Sequence, residues 1–171
     1  DVGTLKSRAV VVPIYPTSTV EQASFIVNDA AAKVIFVDDA KQYAMACELQ
    51  SLCPSLEHVI VFDASVALAA DKAEQHWHLD ALLAGDAKAI KQEVELNQRL
   101  QAANLDDLLT LIYTSGTTGD PKGVMLDYRN MASTIRQHDQ KLAFHSGDVS
   151  LAFLPLSHVF ERSWSFYVLC R

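Results

Sequence analysis

The sequence has no apolar run approaching the about 18–20 residues that a helix needs to span a bilayer. It also does not open with a basic segment followed by an apolar one, which is the pattern of a secretory signal. From these two absences we predict a cytoplasmic protein. Peripheral contact with a membrane surface remains open.

Basic residues and cysteines are scarce. There are 14 Lys and Arg against 21 Asp and Glu, for a formal net charge of −7. Because nucleic acid favours clustered positive charge, this balance argues against a nucleic-acid partner, although it says little about a small anionic substrate. Cys47, Cys53 and Cys170 follow neither a CxxC nor a His-containing metal spacing. We expect buried or half-buried free thiols and no metal site.

The chain of 171 residues has the size of one domain, for which about 100–200 residues is usual. It begins at Asp1 without an initiator Met, inside what reads as the end of a helix. It ends at Arg171 inside an apolar stretch. Because native termini are usually polar and frayed, we expect a fragment of a longer protein.

Segment 1–64 alternates short apolar runs with amphipathic stretches, a pattern typical of βαβ units. The predicted fold class is therefore α/β, a mostly parallel sheet with flanking helices. The elements are buried strands at 9–15, 33–37 and 58–62, a helix capped by Thr19 that runs to about 28, and a helix opened by Asp38 and Asp39 that runs to 52.

Segment 65–105 is Ala-rich and charged and has no apolar strand run, so we predict helices outside the sheet, divided at Gly85 and Asp86. His76 and His78 flank Trp77 within it. On a helix these two imidazoles would lie about 200° apart and could not share a metal ion. We expect a surface helix with one buried Trp.

Segment 106–171 returns to strand character. The elements predicted here are a hairpin with arms at 108–114 and 123–126, a helix at 128–144, a strand at 149–154, and a last helix capped by Ser157.

The hairpin loop is rich in phosphate-binding groups. Its amides and hydroxyls can converge on phosphate oxygens, and Lys122 adds a positive charge on a flexible stem. It is not a Walker A loop, since Pro121 precedes the lysine and Gly123 follows it. The alternative is a solvated hairpin loop, because the same residue types form turns.

The string LIYTSGTTGDPK at 111–122 resembles the AMP-binding signature of the adenylate-forming superfamily, which includes acyl- and aryl-CoA ligases, peptide-synthetase adenylation domains and luciferases. In that family the loop holds the β- and γ-phosphates of MgATP, and the resemblance implies catalytic roles for Lys122 and Thr118. The phosphate-binding residues it implies are Thr114, Ser115, Gly116, Thr117, Thr118, Gly119 and Lys122.

A second string, FLPLSHVFER at 153–162, resembles the next motif of that family and is most like its long-chain acyl-CoA ligase branch. The resemblance implies that His158 binds the substrate at the carboxylate end of the acyl pocket. The alternative is a histidine that only caps or packs a helix. Glu161 and Arg162 are read either as a salt-bridged pair on that helix or as residues with a direct role. Asp127 departs from the family pattern and is read as a helix cap.

The resemblance implies a parent enzyme that activates a long-chain fatty acid with ATP and Mg²⁺ to acyl-AMP, and then with coenzyme A to acyl-CoA. The chain would be a fragment of its AMP-binding N-terminal domain, without the C-terminal domain and inactive alone. The alternatives are a non-catalytic nucleotide-binding fragment and a ligase for aryl or amino acids. Exposed apolar faces would also leave homo-oligomerisation open.

Overall fold

The computed structural model describes residues 1–84, 89–114 and 121–171. Its contacts divide the chain into two compact units, one of 1–15 with 93–171 and the other of 16–92. The elements in chain order are α1 (Val2–Lys6), α2 (Val20–Asp29), β1 (Val34–Val37), α3 (Ala40–Leu52), β2 (His58–Val61), β3 (His76–His78), α4 (Leu79–Ala84), α5 (Ala89–Gln101), β4 (Leu108–Thr114), β5 (Lys122–Asp127), α6 (Tyr128–Asp139) and α7 (Val159–Leu169).

The unit of residues 16–92 contains a three-stranded sheet in the order β1-β2-β3. Both strand pairs are parallel, and the first runs in register from Val34 opposite His58 to Val37 opposite Val61. The predicted strands at 33–37 and 58–62 are confirmed to within one residue. The α/β fold class is confirmed with them.

Two helices of this unit begin at their predicted caps. Thr19 and Gln22 form a capping box, in which the Gln22 N–H donates to Thr19 Oγ1 at 3.3 Å and the Thr19 N–H donates to Gln22 Oε1 at 3.0 Å. Asp39 caps α3 by accepting from the Gln42 N–H at 2.8 Å. Each cap satisfies an N–H that the first helical turn leaves without a partner.

The core of this unit lies between α3 and the sheet. Val59 and Val61 are two residues apart on β2, so their side chains point to the same face. They pack with Tyr43 and Ala46 of α3 and with Val37 at the end of β1. Burial of these apolar side chains holds α3 against the strands.

Strand β3 corrects the prediction for segment 65–105. The sequence predicts helices outside the sheet there, but β3 pairs with β2 and places Val59 opposite His76 and Val61 opposite His78. Trp77 is half-buried on this strand and packs on His58, with ring centroids 4.9 Å apart. A three-residue strand with two polar positions has no apolar run, so only its pairing with β2 identifies it.

The prediction that His76 and His78 lie about 200° apart on a helix is therefore wrong, since alternate residues of a strand share a face. Each ring nonetheless has its own hydrogen-bond partners, which for His78 is the Val66 carbonyl at 2.9 Å. Helices α4 and α5 flank the predicted break, and Gly85 and Asp86 themselves lie outside the described residues.

The unit of 1–15 and 93–171 contains the predicted hairpin of β4 and β5, which is confirmed as antiparallel. The buried strand predicted at 9–15 is wrong, because among the described residues only Val11 of this segment pairs, in a single parallel bridge to Thr110. The Val11 N–H donates to the Leu109 carbonyl at 3.2 Å, and the Leu111 N–H donates to the Val11 carbonyl at 3.1 Å. The next donor of this ladder would be residue 13, and Pro13 has no N–H.

Helix α6 begins at the predicted cap, Asp127, which forms a capping box with Asn130, and it ends at Asp139, before the predicted end at 144. The strand predicted at 149–154 is wrong. The segment pairs with no strand of the described ranges, and Val149 is 96% and Phe153 75% exposed. Without burial or pairing, its apolar pattern does not produce a strand.

The cysteines are free thiols, as predicted. Cys53 is buried, and this burial raises the pKa of its thiol. Cys47 is half-buried, whereas Cys170 is exposed, contrary to the expectation of at least partial burial. Across 1–84, 89–114 and 121–171, every helix is too short or too polar to cross a membrane.

Candidate functional site

The β4–β5 hairpin brings two of the predicted phosphate-binding residues together. Thr114 ends β4, Lys122 begins β5, and their Cα atoms are register partners. Directly opposed residues of an antiparallel pair point to the same face, so both side chains lie side by side where the loop leaves the strands. The predicted site residues Ser115, Gly116, Thr117, Thr118 and Gly119 lie outside the described residues.

Thr114 and Lys122 form the mouth of the hairpin, and both are exposed. Lys122 forms no ion pair with any residue in the part of the chain that the structure describes. With no ion pair among those residues, its ammonium group can offer three donors to an anionic ligand. The mouth therefore offers one hydroxyl and one positive charge on the same face.

The base of the hairpin is anchored by buried contacts. Leu109, Thr110 and Ile112 of β4 are buried. The Thr110 hydroxyl donates to the Val11 carbonyl at 2.6 Å, which satisfies a buried polar group and holds 9–15 against the strand. The loop thus emerges from a strand whose other end is fixed in the core.

Charged groups also tie α1 to the hairpin base. Arg8, which follows α1, forms an ion pair with Asp107, and its guanidinium lies 4.2 Å from the ring centroid of Tyr128. The Asn104 N–H, and then Arg8, hold the pKa of the Asp107 carboxyl below its usual range. The Tyr128 hydroxyl donates to the Leu5 carbonyl at 3.3 Å.

His158 is the N-cap of α7. The prediction that Ser157 caps this helix is therefore wrong. The Phe160 N–H donates to His158 Nδ1 at 3.3 Å. A nitrogen that accepts carries no proton, so the neutral ring has its proton on Nε2. The side chain is exposed, and capping leaves Nε2–H available as a donor.

Glu161 and Arg162 on α7 are each 2% exposed, so they are not a solvent-exposed pair. Glu161 joins α7 to the preceding loop, because its Oε2 accepts from the Leu154 N–H at 3.4 Å and its Oε1 accepts from the Ser165 hydroxyl at 3.4 Å. Two opposite charges in a helix whose other residues are apolar or serine indicate from the sequence that these charges are buried.

Arg162 reaches to the other end of the chain. Its Nη1 lies 3.3 Å from Asp1 Oδ2, while its Nε and Nη2 are buried without a hydrogen-bond partner in the described residues. Burial lowers the pKa of this guanidinium. Within the same described residues, neither Arg162 nor His158 makes a hydrogen bond to Thr114 or Lys122. The structure thus joins Thr114 to Lys122 but does not join His158 to them.

Two surface depressions lie elsewhere, one along α2 beside Phe25 and Asn28 and one around residues 70–75. Neither contains a predicted site residue. The hairpin mouth, rather than either depression, remains the candidate site, because it carries the charge and the hydroxyl.

Residues 1–171 match the family model described as AMP-binding enzyme. The chain belongs to the AMP-binding enzyme family. The match to the family thus extends over all 171 residues and is not confined to the signature string at 111–122.

The chain is similar in sequence to long-chain-fatty-acid–CoA ligases. The chain is 36% identical over 170 residues to long-chain-fatty-acid–CoA ligase FadD15 of Mycobacterium bovis, covering 96% of this chain and 26% of that protein. It is 30% identical over 176 residues to human long-chain-fatty-acid–CoA ligase 1, covering 99% of this chain and 25% of that protein. The chain thus spans about a quarter of the length of these curated relatives.

Solved structures show the same fold. The didomain of carboxylic acid reductase from Segniliparus rugosus in complex with AMP superimposes with a TM-score of 0.66 at 27% identity, covering 94% of this chain and 24% of that one. The fold of this chain is thus similar to that of part of the AMP-bound reductase didomain.

Proposed function

We propose that this chain is part of the AMP-binding N-terminal domain of an enzyme that activates a long-chain fatty acid. A carboxylate oxygen of the acid attacks the α-phosphorus of ATP and displaces pyrophosphate, giving acyl-AMP. The thiol of coenzyme A then attacks the acyl carbon, a proton leaves the sulfur, and AMP departs. The observation that carries this proposal is the pairing of Thr114 with Lys122 on either side of the signature loop in a chain of this family.

Lys122 acts on the leaving group. Negative charge builds on the β- and γ-phosphates as the bond to the α-phosphorus breaks, and a positioned ammonium offsets it. Its lack of an ion pair among the described residues supports this role, since no carboxylate competes for it there. The other groups proposed to donate hydrogen bonds to the phosphates are the hydroxyls of Thr114, Ser115, Thr117 and Thr118 and the amides of Gly116 and Gly119.

Thr118 is proposed to act with Lys122 as a catalytic donor. Mg²⁺ would accompany the ATP and would offset charge on its phosphates, and we assign no residue of the chain to it. Fatty acid, ATP and coenzyme A are the small-molecule partners of the complete enzyme.

His158 is proposed to bind the carboxylate of the fatty acid. The contact that supports this is its capping hydrogen bond, which occupies Nδ1 and leaves Nε2–H exposed. A neutral Nε2–H can donate to a carboxylate oxygen without removing its charge. The same hydrogen bond orients the ring on a helix that Glu161 and Arg162 hold in place.

The test is carboxylate-dependent ATP–pyrophosphate exchange by the complete enzyme, with fatty acids of graded length and with amino and aryl acids. Exchange stimulated by long fatty acids is expected, and Lys122→Ala should lower it by about 10²–10³-fold, the order seen when one positioned donor is removed. Lys141→Ala is the matched control, because Lys141 is also exposed and unpaired within the described ranges.

Three other outcomes contradict parts of the proposal. Exchange with amino or aryl acids alone would keep the family reaction and reject the fatty-acid substrate. Absence of exchange with every acid would favour a non-catalytic nucleotide binder. Because the chain spans 26% of the FadD15 relative, these residues alone are expected to show no turnover, and acyl-CoA synthesis by them would contradict the assignment to a partial domain.

A further inference from the structure

Tyr113 and Gly123 lie opposite each other, one pair before the mouth of the β4–β5 hairpin. A Cβ built on Gly123 would lie 3.0 Å from Cζ, 3.2 Å from Oη and 3.3 Å from Cε1 of Tyr113. These atoms form the outer half of the phenol, so the ring lies across the backbone of β5. Gly123 does not have a positive φ, so space rather than backbone conformation favours glycine here.

This contact lies on the face opposite the candidate site. Side chains alternate along each strand and opposed residues share a face, so Thr114 and Lys122 point to one face and Tyr113 to the other. A slip of the pairing by one residue would turn Lys122 away from the phosphate face. It would also place the phenol opposite a side chain in place of the glycine.

The pairing at the mouth lies beyond an irregularity at the far end of the hairpin. Leu108 pairs with Asp127, and Thr110 pairs with Leu126, so two steps on β4 match one step on β5. Such a bulge bends the strand and interrupts the ladder. Regular pairing resumes at Thr110 and runs to the mouth.

From this geometry we infer that the Tyr113–Gly123 contact positions the phosphate site. The ring and the glycine it covers hold the register in which Thr114 and Lys122 share one face at the mouth. This inference rests on the proposed function and deepens it. Tyr113 acts through its neighbours, so it is a positioning residue, and its loss should affect the use of ATP and leave the use of the acid unaffected.

The first test is Gly123→Ala in the complete enzyme, measured by ATP–pyrophosphate exchange with ATP and fatty acid varied separately. The added methyl group would lie 3.0 Å from the ring, which must then shift, and we expect the KM for ATP to rise roughly 10- to 100-fold, as for a misplaced binding group. The KM for the fatty acid should stay unchanged. Gly3→Ala is the matched control, since a Cβ there meets nothing within 4 Å.

The second test separates the ring from the glycine. Tyr113→Ala removes the ring and should raise the KM for ATP. Combining Tyr113→Ala with Gly123→Ala should be no worse than Tyr113→Ala alone, because the close contact has been removed. Such non-additivity is the signature of two residues that act through one contact.

Two results would overturn the inference: Gly123→Ala behaving like Gly3→Ala, or additive effects in the double variant. Equilibrium binding of ATP to the same variants, with urea unfolding to confirm that they fold, tests the positioning without turnover. A wild-type enzyme that binds ATP but exchanges with no acid would remove the proposed function alone, and the order of ATP affinities would still decide the inference.

Discussion

The Tyr43 hydroxyl and His76 Nδ1 lie 2.8 Å apart in the core between α3 and β3. The Ala69 N–H donates to the Tyr43 oxygen at 2.9 Å. His76 Nε2 lies 3.0 Å from Gln50 Oε1 and is the donor of that bond, because an amide oxygen only accepts. In the neutral imidazole the proton is therefore on Nε2, and Nδ1 accepts from the Tyr43 O–H.

The stability of the unit of residues 16–92 should fall in mild acid because of His76. Burial, and then the charge of Lys72, lower the pKa of His76 from its ordinary value of 6.5, against a smaller opposing effect of Asp71. In the interval below 6.5 the unfolded chain binds a proton that the folded chain does not, so stability rises with pH. The contribution is present above pH 6.5 and is lost as pH falls toward the lowered pKa, at no more than about 1.4 kcal/mol per pH unit.

Urea unfolding at several pH values between 5 and 8 measures this loss. His76→Gln removes the titrating group and should flatten the pH dependence, whereas His145→Gln should leave it, because His145 is an exposed histidine. An unchanged pH dependence in His76→Gln would contradict the assignment.

Arg162 should tolerate an apolar replacement better than the loss of its partner. Asp1→Asn leaves a buried guanidinium whose Nε and Nη2 are already unsatisfied, and it should cost about 1–3 kcal/mol of unfolding free energy. Arg162→Met removes the unsatisfied donors and leaves an Asp1 side chain that is 30% exposed and can be hydrated, so we expect a change within about 1 kcal/mol.

The comparison is made by urea unfolding of both variants. Asp1 makes no side-chain capping bond to α1, so Asp1→Asn does not disturb that helix start. A larger loss in Arg162→Met than in Asp1→Asn would show that packing of the arginine stem outweighs its unpaired donors.

Capping and substrate binding by His158 can be separated. Asn is a preferred N-cap residue, so His158→Asn should retain stability, whereas His158→Ala should cost about 0.5–2 kcal/mol. Both variants remove the Nε2–H donor, and both should raise the KM for the fatty acid in the exchange assay. If activity instead follows stability across the two variants, the role of His158 is confined to capping α7.

The cap at Asp127 should stabilise α6 independently of the phosphate site. The Asn130 N–H donates to Asp127 Oδ1 at 2.7 Å. Asp127→Ala removes this acceptor and should lower the free energy of unfolding by about 1 kcal/mol. Asp127→Asn retains an acceptor and serves as the control. Thermal unfolding of the two variants measures the difference, and equal losses would exclude the cap as the cause.

Local features of the chain could be predicted from the sequence alone. Thr19, Asp39 and Asp127 each satisfy an N–H three residues ahead, so their effect is encoded within one helical turn. Strands β1 and β2 and the hairpin around the signature loop have apolar runs of the right length between turn residues. The signature string itself identifies the family, because its residue types and spacing are all local.

Tertiary structure decided the features that depend on distant partners. His76 to His78 become a strand because β2 offers an edge, and 149–154 do not, because they pair with no strand of the described ranges. Arg162 is buried against Asp1, at the opposite end of the sequence. The sequence determined which segments could form helices or strands, whereas the folded chain decided which of them found a partner, since pairing and burial join residues far apart along the chain.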